Sequence, residues 1–184
     1  TANKEYFKGA PRFETLVFKP TLEAAQVEAN LLKGEYDAIF KCPPSVPAED
    51  LPALTNNPDI RVSKGAGLDV EFMGINMLKA PLNDSRVREA IAYAIDYDAI
   101  IQGVMHGYAE RIGGPVPPNI FGYANLTLIQ RDIVKAKQLL TEAGYPNGFE
   151  ITLTYNIDNL ARRQTAEVIR DSLSEVGIQV HIVG

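Results

Sequence analysis

The sequence predicts an α/β fold, and three stretches carry that prediction. Phe149, Ile151, Leu153 and Tyr155 alternate with Glu150, Thr152 and Thr154, the period of a strand with one buried face. A helix follows from about Leu160 to Val176, with Ala166, Ile169, Leu173 and Val176 on one side; Gly177 ends it, and Ile178 to Val183 reads at once as a second strand. That is a strand–helix–strand unit, for which parallel strands and a right-handed crossover are expected. The third observation is a pair of amphipathic helices upstream. One carries Val87, Ala90, Ile91, Ala94 and Ile95 behind a cap at Asp84 or Ser85. The other carries Ile133, Ala136, Leu139, Leu140 and Ala143 ahead of the stop signals Gly144 and Pro146.

In chain order, Phe13 to Lys19 is rich in strand formers and Pro20 closes it. Thr21 can cap a helix running through Leu32, and Gly34 stands where a left-handed residue is wanted. Glu35 to Phe40 reads as a short buried strand. Cys42 to Pro47 is a proline-stiffened connection, and Ala48 to Thr55 a turn of helix interrupted at Pro52. Ile60 to Ser63 and Val70 to Met77 read as strands on either side of the loose Gly65–Gly67 stretch, which is the expected internal boundary. Ala99 to Met105 continues the capped helix or breaks from it. Gly113 to Pro118 must be loop, since its prolines lack ladder donors.

With 184 residues, the chain can hold one ordinary domain or two small ones. Hydrophobic content of 46% suits a packed core, and charged content of 22% suits a solvated surface. A net charge of −5 argues against a nucleic-acid binder, which would be basic. No apolar run is long enough to cross a bilayer. The start at Thr1, without Met or leader, and the stop just after a strand-like run predict a piece of a longer protein. The single cysteine, Cys42, rules out an internal disulfide and leaves the compartment open.

Little in the chain suits catalysis. His106 and His181 are far apart and lack a second ligand at metal spacing, so no metal site is expected. His106 reads as a cation at a helix C-terminus and His181 as an outward strand residue. Cys42 has no basic neighbour beyond Lys41, and no Gly-x-Ser-x-Gly elbow exists. Ser45, Ser63, Ser85, Ser172 and Ser174 read as loop, cap or exposed helix positions. Gly65-Ala-Gly67 lacks the third glycine and the lysine of a nucleotide loop. The sequons at Asn83 and Asn125 matter only in a glycosylating pathway, and the first overlaps the cap. Arg86, Arg88, Arg162 and Arg163, flanked by Glu89, Asp96, Glu167 and Asp171, read as solvated helix pairs. Tyr155-Asn156 remains: it ends a parallel strand and opens the loop before a helix, where α/β sheets hold ligands. This suits a binding module. A polar loop without function fits those two residues equally well.

Five motifs in order resemble one family. Tyr6-Phe7-Lys-Gly-Ala-Pro11 precedes the Val17-Phe18-Lys19 run. Leu31-Leu-Lys-Gly-Glu-Tyr-Asp-Ala-Ile39 looks like a Leu-x-x-Gly-Glu-x-Asp turn. Gly74-Ile-Asn76 leads into Lys79-Ala-Pro-Leu-Asn-Asp84 and Arg86-Val-Arg-Glu-Ala-Ile91. Gly114-Pro-Val-Pro-Pro118 is followed by Phe121-Gly-Tyr123, and Lys135-Ala-Lys-Gln-Leu-Leu-Thr-Glu-Ala-Gly-Tyr145 closes the set. Together they resemble the peptide and nickel class of extracytoplasmic solute-binding proteins that serve ATP-driven (ABC) importers.

The resemblance implies an internal fragment of a two-lobed periplasmic-binding-protein (type II) fold. Residues 1–67 would be part of the first lobe and 68–184 the N-terminal part of the second. It implies a receptor and no enzyme, without cofactor. A peptide would be enclosed between lobes and delivered to a membrane permease, in the periplasm or on a cell-surface lipoprotein. Receptors for nickel chelates or another small solute, and a cytoplasmic regulator using the module as a sensor, are the alternatives. By resemblance the ligand contacts fall at Phe72 and Gly74 and in the loop holding Tyr155, Asn156 and Asp158. Gly74 replaces a carboxylate of some relatives, and Ala161 stands where one relative has a histidine.

Overall fold

The computed structural model describes residues 1–21, 23–40, 46–65 and 67–184. The reading of Cys42 and most of its proline-rich connection lies outside the described residues. The chain forms two compact units, Thr1–Val46 and Pro47–Gly184. The lobe boundary expected at Gly65–Gly67 is thus not a boundary between these compact units.

In the first unit, helix α1 (Ala24–Leu32) packs through Val27 and Asn30. Gly34 takes the expected left-handed conformation just past its end (φ +74°). Thr21 does not cap this helix. Its Oγ1 lies 2.7 Å from the Tyr36 hydroxyl, and the capping position is Glu23, without a side-chain cap. The strands expected over 13–19 and 35–40 are absent as ladders. Phe13, Val17, Phe18 and Phe40 are exposed. Strand propensity describes a pleated surface that packs on a neighbour, and no strand of the described chain pairs with these segments.

The second unit opens with α2 (Leu51–Asn56). Pro52 does not interrupt it, because it occupies the first turn, where a missing N–H costs nothing. Residues 60–63 and 70–77 also lack a ladder. Helix α3 (Ser85–Ala94) begins as expected, and Asp84 is the cap: its Oδ1 accepts from the Arg86 N–H at 2.8 Å. A π-helical segment, Ala99–Val104, breaks from α3 after the extended Ile95. Helix α4 (Ile133–Glu142) is capped by Asp132. Strand β1 (Glu150–Thr154), helix α5 (Leu160–Ser174) and β2 (Gln179–Val183) complete the unit, with β1 and β2 parallel and Thr152 opposite His181.

The core lies where α3, α4 and α5 meet the sheet. Val87, Ala90, Ile91 and Ala94 pack with Ala136, Leu139, Leu140, Ile169, Leu173 and Ile178. Ser172 is buried rather than exposed. Its hydroxyl donates to the Val168 carbonyl and accepts from the Asp96 N–H at 3.2 Å, satisfying the backbone just beyond α3.

The α3 cap gives a pH-dependent prediction. Hydrogen bonds from the Arg86 side chain and then the Arg86 N–H hold the Asp84 carboxyl below its ordinary 3.8. A depressed carboxyl stabilises the fold above its unfolded value, and this contribution disappears as pH falls through the folded value. Asp84→Asn keeps an acceptor but no charge. It is expected to lower the urea midpoint at pH 7 and to match the parent below the Asp84 titration. Equal midpoints at pH 7 would refute the assignment.

Candidate functional site

The segment 70–77 joins no ladder, but its burial alternates from residue 72 to 76. Met73 packs against the core and Ile75 is half-buried, whereas Phe72 (81% exposed) and Gly74 stand on the opposite side. Open space surrounds Gly74 where a Cβ would be. Val70, Glu71 and Phe72 form one wall of an open groove of about 470 Å³, and Ile112, Gly113, Gly114 and Pro115 form the other. The second wall is fixed from behind. Gly113 lies so close to the Leu126 carbonyl that a Cβ there would overlap it. Arg111 stacks 4.0 Å from the centre of the Tyr97 ring and donates to the Ile129 carbonyl.

The loop between β1 and α5 is built by local hydrogen bonds. The Tyr155 N–H extends the β1–β2 pairing to the Val183 carbonyl at 3.1 Å, and the half-buried Tyr155 side chain reaches Gly184. Asn156, Ile157 and Asp158 project into solvent. The Asn156 carbonyl accepts from the Asn159 N–H at 3.0 Å. Asn159 in turn caps α5 by accepting from the Arg162 N–H at 3.0 Å.

Arg162 connects this loop to the 70–77 segment. Its Nε donates to Glu71 Oε1 at 2.7 Å and its Nη2 to Glu71 Oε2 at 3.3 Å, while Nη1 donates to Asn156 Oδ1 at 2.5 Å. Both charged side chains keep solvent contact, at 40% for Arg162 and 67% for Glu71. Reading Arg162 as a solvated helix pair is therefore corrected. Only Arg163 makes the i,i+4 pair, with Glu167 at 3.2 Å. Arg86 and Arg88 differ likewise: Arg86 holds Asp84 and the Glu142 carbonyl, and Arg88 the carbonyls of Leu82 and Asn83. A sequence signal did exist for Arg162. Two cations in the first turn of α5 oppose the helix dipole and call for a nearby anion. Its partner is 91 positions away and has no local signature.

Of the expected contact residues, only Phe72 lines the groove. Asn156 is joined to its neighbour Glu71 through Arg162, and Gly74, Tyr155 and Asp158 lie outside the groove lining. Among the described residues, no three His, Cys, Asp or Glu side chains gather in a way that could hold a metal.

A family model described as bacterial extracellular solute-binding proteins, family 5 Middle, matches residues 1–184. Heme-binding protein A of Haemophilus influenzae is 34% identical over 187 residues, covering 99% of this chain and 34% of that protein. Among solved structures, the ABC transporter-associated periplasmic binding protein DppA of Helicobacter pylori, in complex with the peptide STSA, matches with a TM-score of 0.77. Its identity is 34%, over 87% of this chain and 30% of that one. A dipeptide binding protein of Pseudoalteromonas in complex with Met-Leu matches with a TM-score of 0.82 at 29% identity, over 98% of this chain and 36% of that one. The α/β arrangement is that of part of a type II periplasmic binding protein, and the chain spans about a third of the length of these relatives. It belongs to the bacterial extracellular solute-binding proteins of family 5, whose middle region it matches throughout.

Proposed function

We propose that this chain is the middle portion of a receptor that encloses a peptide between two lobes and delivers it to the membrane permease of an ABC importer. The receptor holds its solute without transforming it. One observation carries the reading. Two segments far apart in the chain, both expected to face ligand, are fastened together by Arg162 through Glu71 and Asn156. In this reading, Phe72 offers an apolar surface beside the open Gly74, and Asn156 offers amide hydrogen bonds to a main chain. Tyr155 and Asp158 shape the loop around it. Such a mixture of apolar surface and a few placed polar groups suits a ligand read mostly through its backbone. The division into lobes near Gly67, and a place outside the cytoplasm, whether periplasmic or as a lipoprotein, belong to the same proposal. The family's extracellular description supports that place over a cytoplasmic sensor.

The test is calorimetry of the complete receptor containing this chain against di- to pentapeptides. Saturable heat with micromolar or tighter affinity is expected, about −8 kcal/mol or better. Absence of heat with every peptide would sink the proposal. The name of the Haemophilus relative favours a second reading, a non-peptide solute. Hemin and nickel–histidine therefore belong in the same titration series, and binding of either without any peptide would establish that reading instead.

A further inference from the structure

We infer that Glu71 is a positioning residue, which through Arg162 locks the Asn156 amide as a hydrogen-bond donor toward a solute acceptor such as a peptide carbonyl. The inference rests on the peptide reading above and names the chemistry of one contact within it. A guanidinium carries only donors, so the Asn156 atom facing Arg162 Nη1 must be Oδ1. That leaves both N–H bonds of the exposed Asn156 amide free to point away from Arg162. The arginine cannot fix this orientation unless it is itself fixed. Glu71 does so with a two-point hold, on Nε and on Nη2, leaving Nη1 for Asn156. Glu71 also supplies Arg162 with an anion where the first turn of α5 holds none. An exposed ion pair adds little to stability, so the consequence of this pair lies in orientation.

A double-mutant cycle in the complete receptor separates this role from a structural one. The probes are di- to pentaalanine, using the member bound most tightly by the parent. Asn156→Ala is expected to weaken binding about tenfold in the parent, the loss of one well-made hydrogen bond. Glu71→Ala is expected to weaken it several-fold, with an unchanged unfolding midpoint. In the Glu71→Ala background, Asn156→Ala is expected to add less than about a threefold loss, because the amide is already free to turn. Glu71→Gln, which keeps one acceptor for Arg162, is expected to fall between Glu71→Ala and the parent. Equal losses from Asn156→Ala in both backgrounds, or parental affinity in Glu71→Ala, would overturn the role of Glu71 and leave the peptide reading standing. No binding of any alanine peptide by the parent would remove the peptide reading, and this inference with it.

Discussion

Gly148→Ala is expected to cost about 3 kcal/mol or more of stability, a loss from the upper range of single substitutions. Gly148 precedes β1 and Gly177 precedes β2, and the two backbones meet almost edge to edge. A Cβ on Gly148 would fall on the Gly177 carbonyl and lie 2.9 Å from its Cα. Those are backbone atoms, so no rotamer change relieves the overlap. The two loops must part, and with them the Gln179 N–H to Phe149 carbonyl bond of 2.8 Å that starts the β1–β2 pairing. Gly148 also has a φ of +77°, which adds the usual penalty for a side chain in the left-handed region, about 1 kcal/mol. Gly144→Ala isolates that last term. Its φ is +91° but nothing stands near its missing Cβ, so a loss of only about 1 kcal/mol is expected. Urea unfolding of the three proteins checks the difference. A Gly148→Ala midpoint no lower than that of Gly144→Ala would mean the strand entrances are looser than their geometry.

The same two glycines show what the sequence could and could not express. Gly177 was legible as a helix stop, because termination is a local event. Its approach to Gly148 was not, since nothing in either neighbourhood encodes the other. Helices α3, α4 and α5 and strands β1 and β2 follow the expected pattern closely, with Ala166, Ile169, Leu173 and Val176 all buried. Their periodicity is written within single segments, and each finds its apolar partner inside the second unit. The segments 13–19, 35–40, 60–63 and 70–77 also carry strand formers but join no ladder among the described residues. A strand is a property of two segments, and composition reports on only one. At the candidate site, the polar loop after β1 was legible from the end of a parallel strand. Phe72 and Gly74 came from family resemblance. Glu71 was legible from neither, because an ion pair between exposed residues far apart in sequence leaves no trace in the spacing of either one.

Leu173→Ala is expected to cost about 2 to 5 kcal/mol, the range for truncating a leucine sealed in a core. The Leu173 side chain is fully buried in the apolar cluster that also includes residues of α3, α4 and β2. Its carbonyl accepts from the N–H groups of Val176 and Ile178, at 3.2 and 3.1 Å, so the same residue also holds the turn into β2. The substitution keeps that backbone hold and removes only side-chain atoms, so the loss comes from their transfer out of the core together with the cavity they leave. Leu173→Met fills nearly the same volume and is expected to cost under about 1.5 kcal/mol. Position along α5 then makes the test discriminating for function. Arg162 lies eleven residues earlier, roughly 16 Å along the helix axis at about 1.5 Å per residue. It is held there by polar contacts with Asn159, Glu71 and Asn156, and the apolar cluster around Leu173 is a separate set of residues. The complete receptor carrying Leu173→Ala is therefore expected to lose stability and keep its peptide affinity under conditions where it remains folded. A parallel loss of affinity in the folded protein would show that the loop reads the packing of the far end of α5, and that the site is not positioned by its own polar contacts.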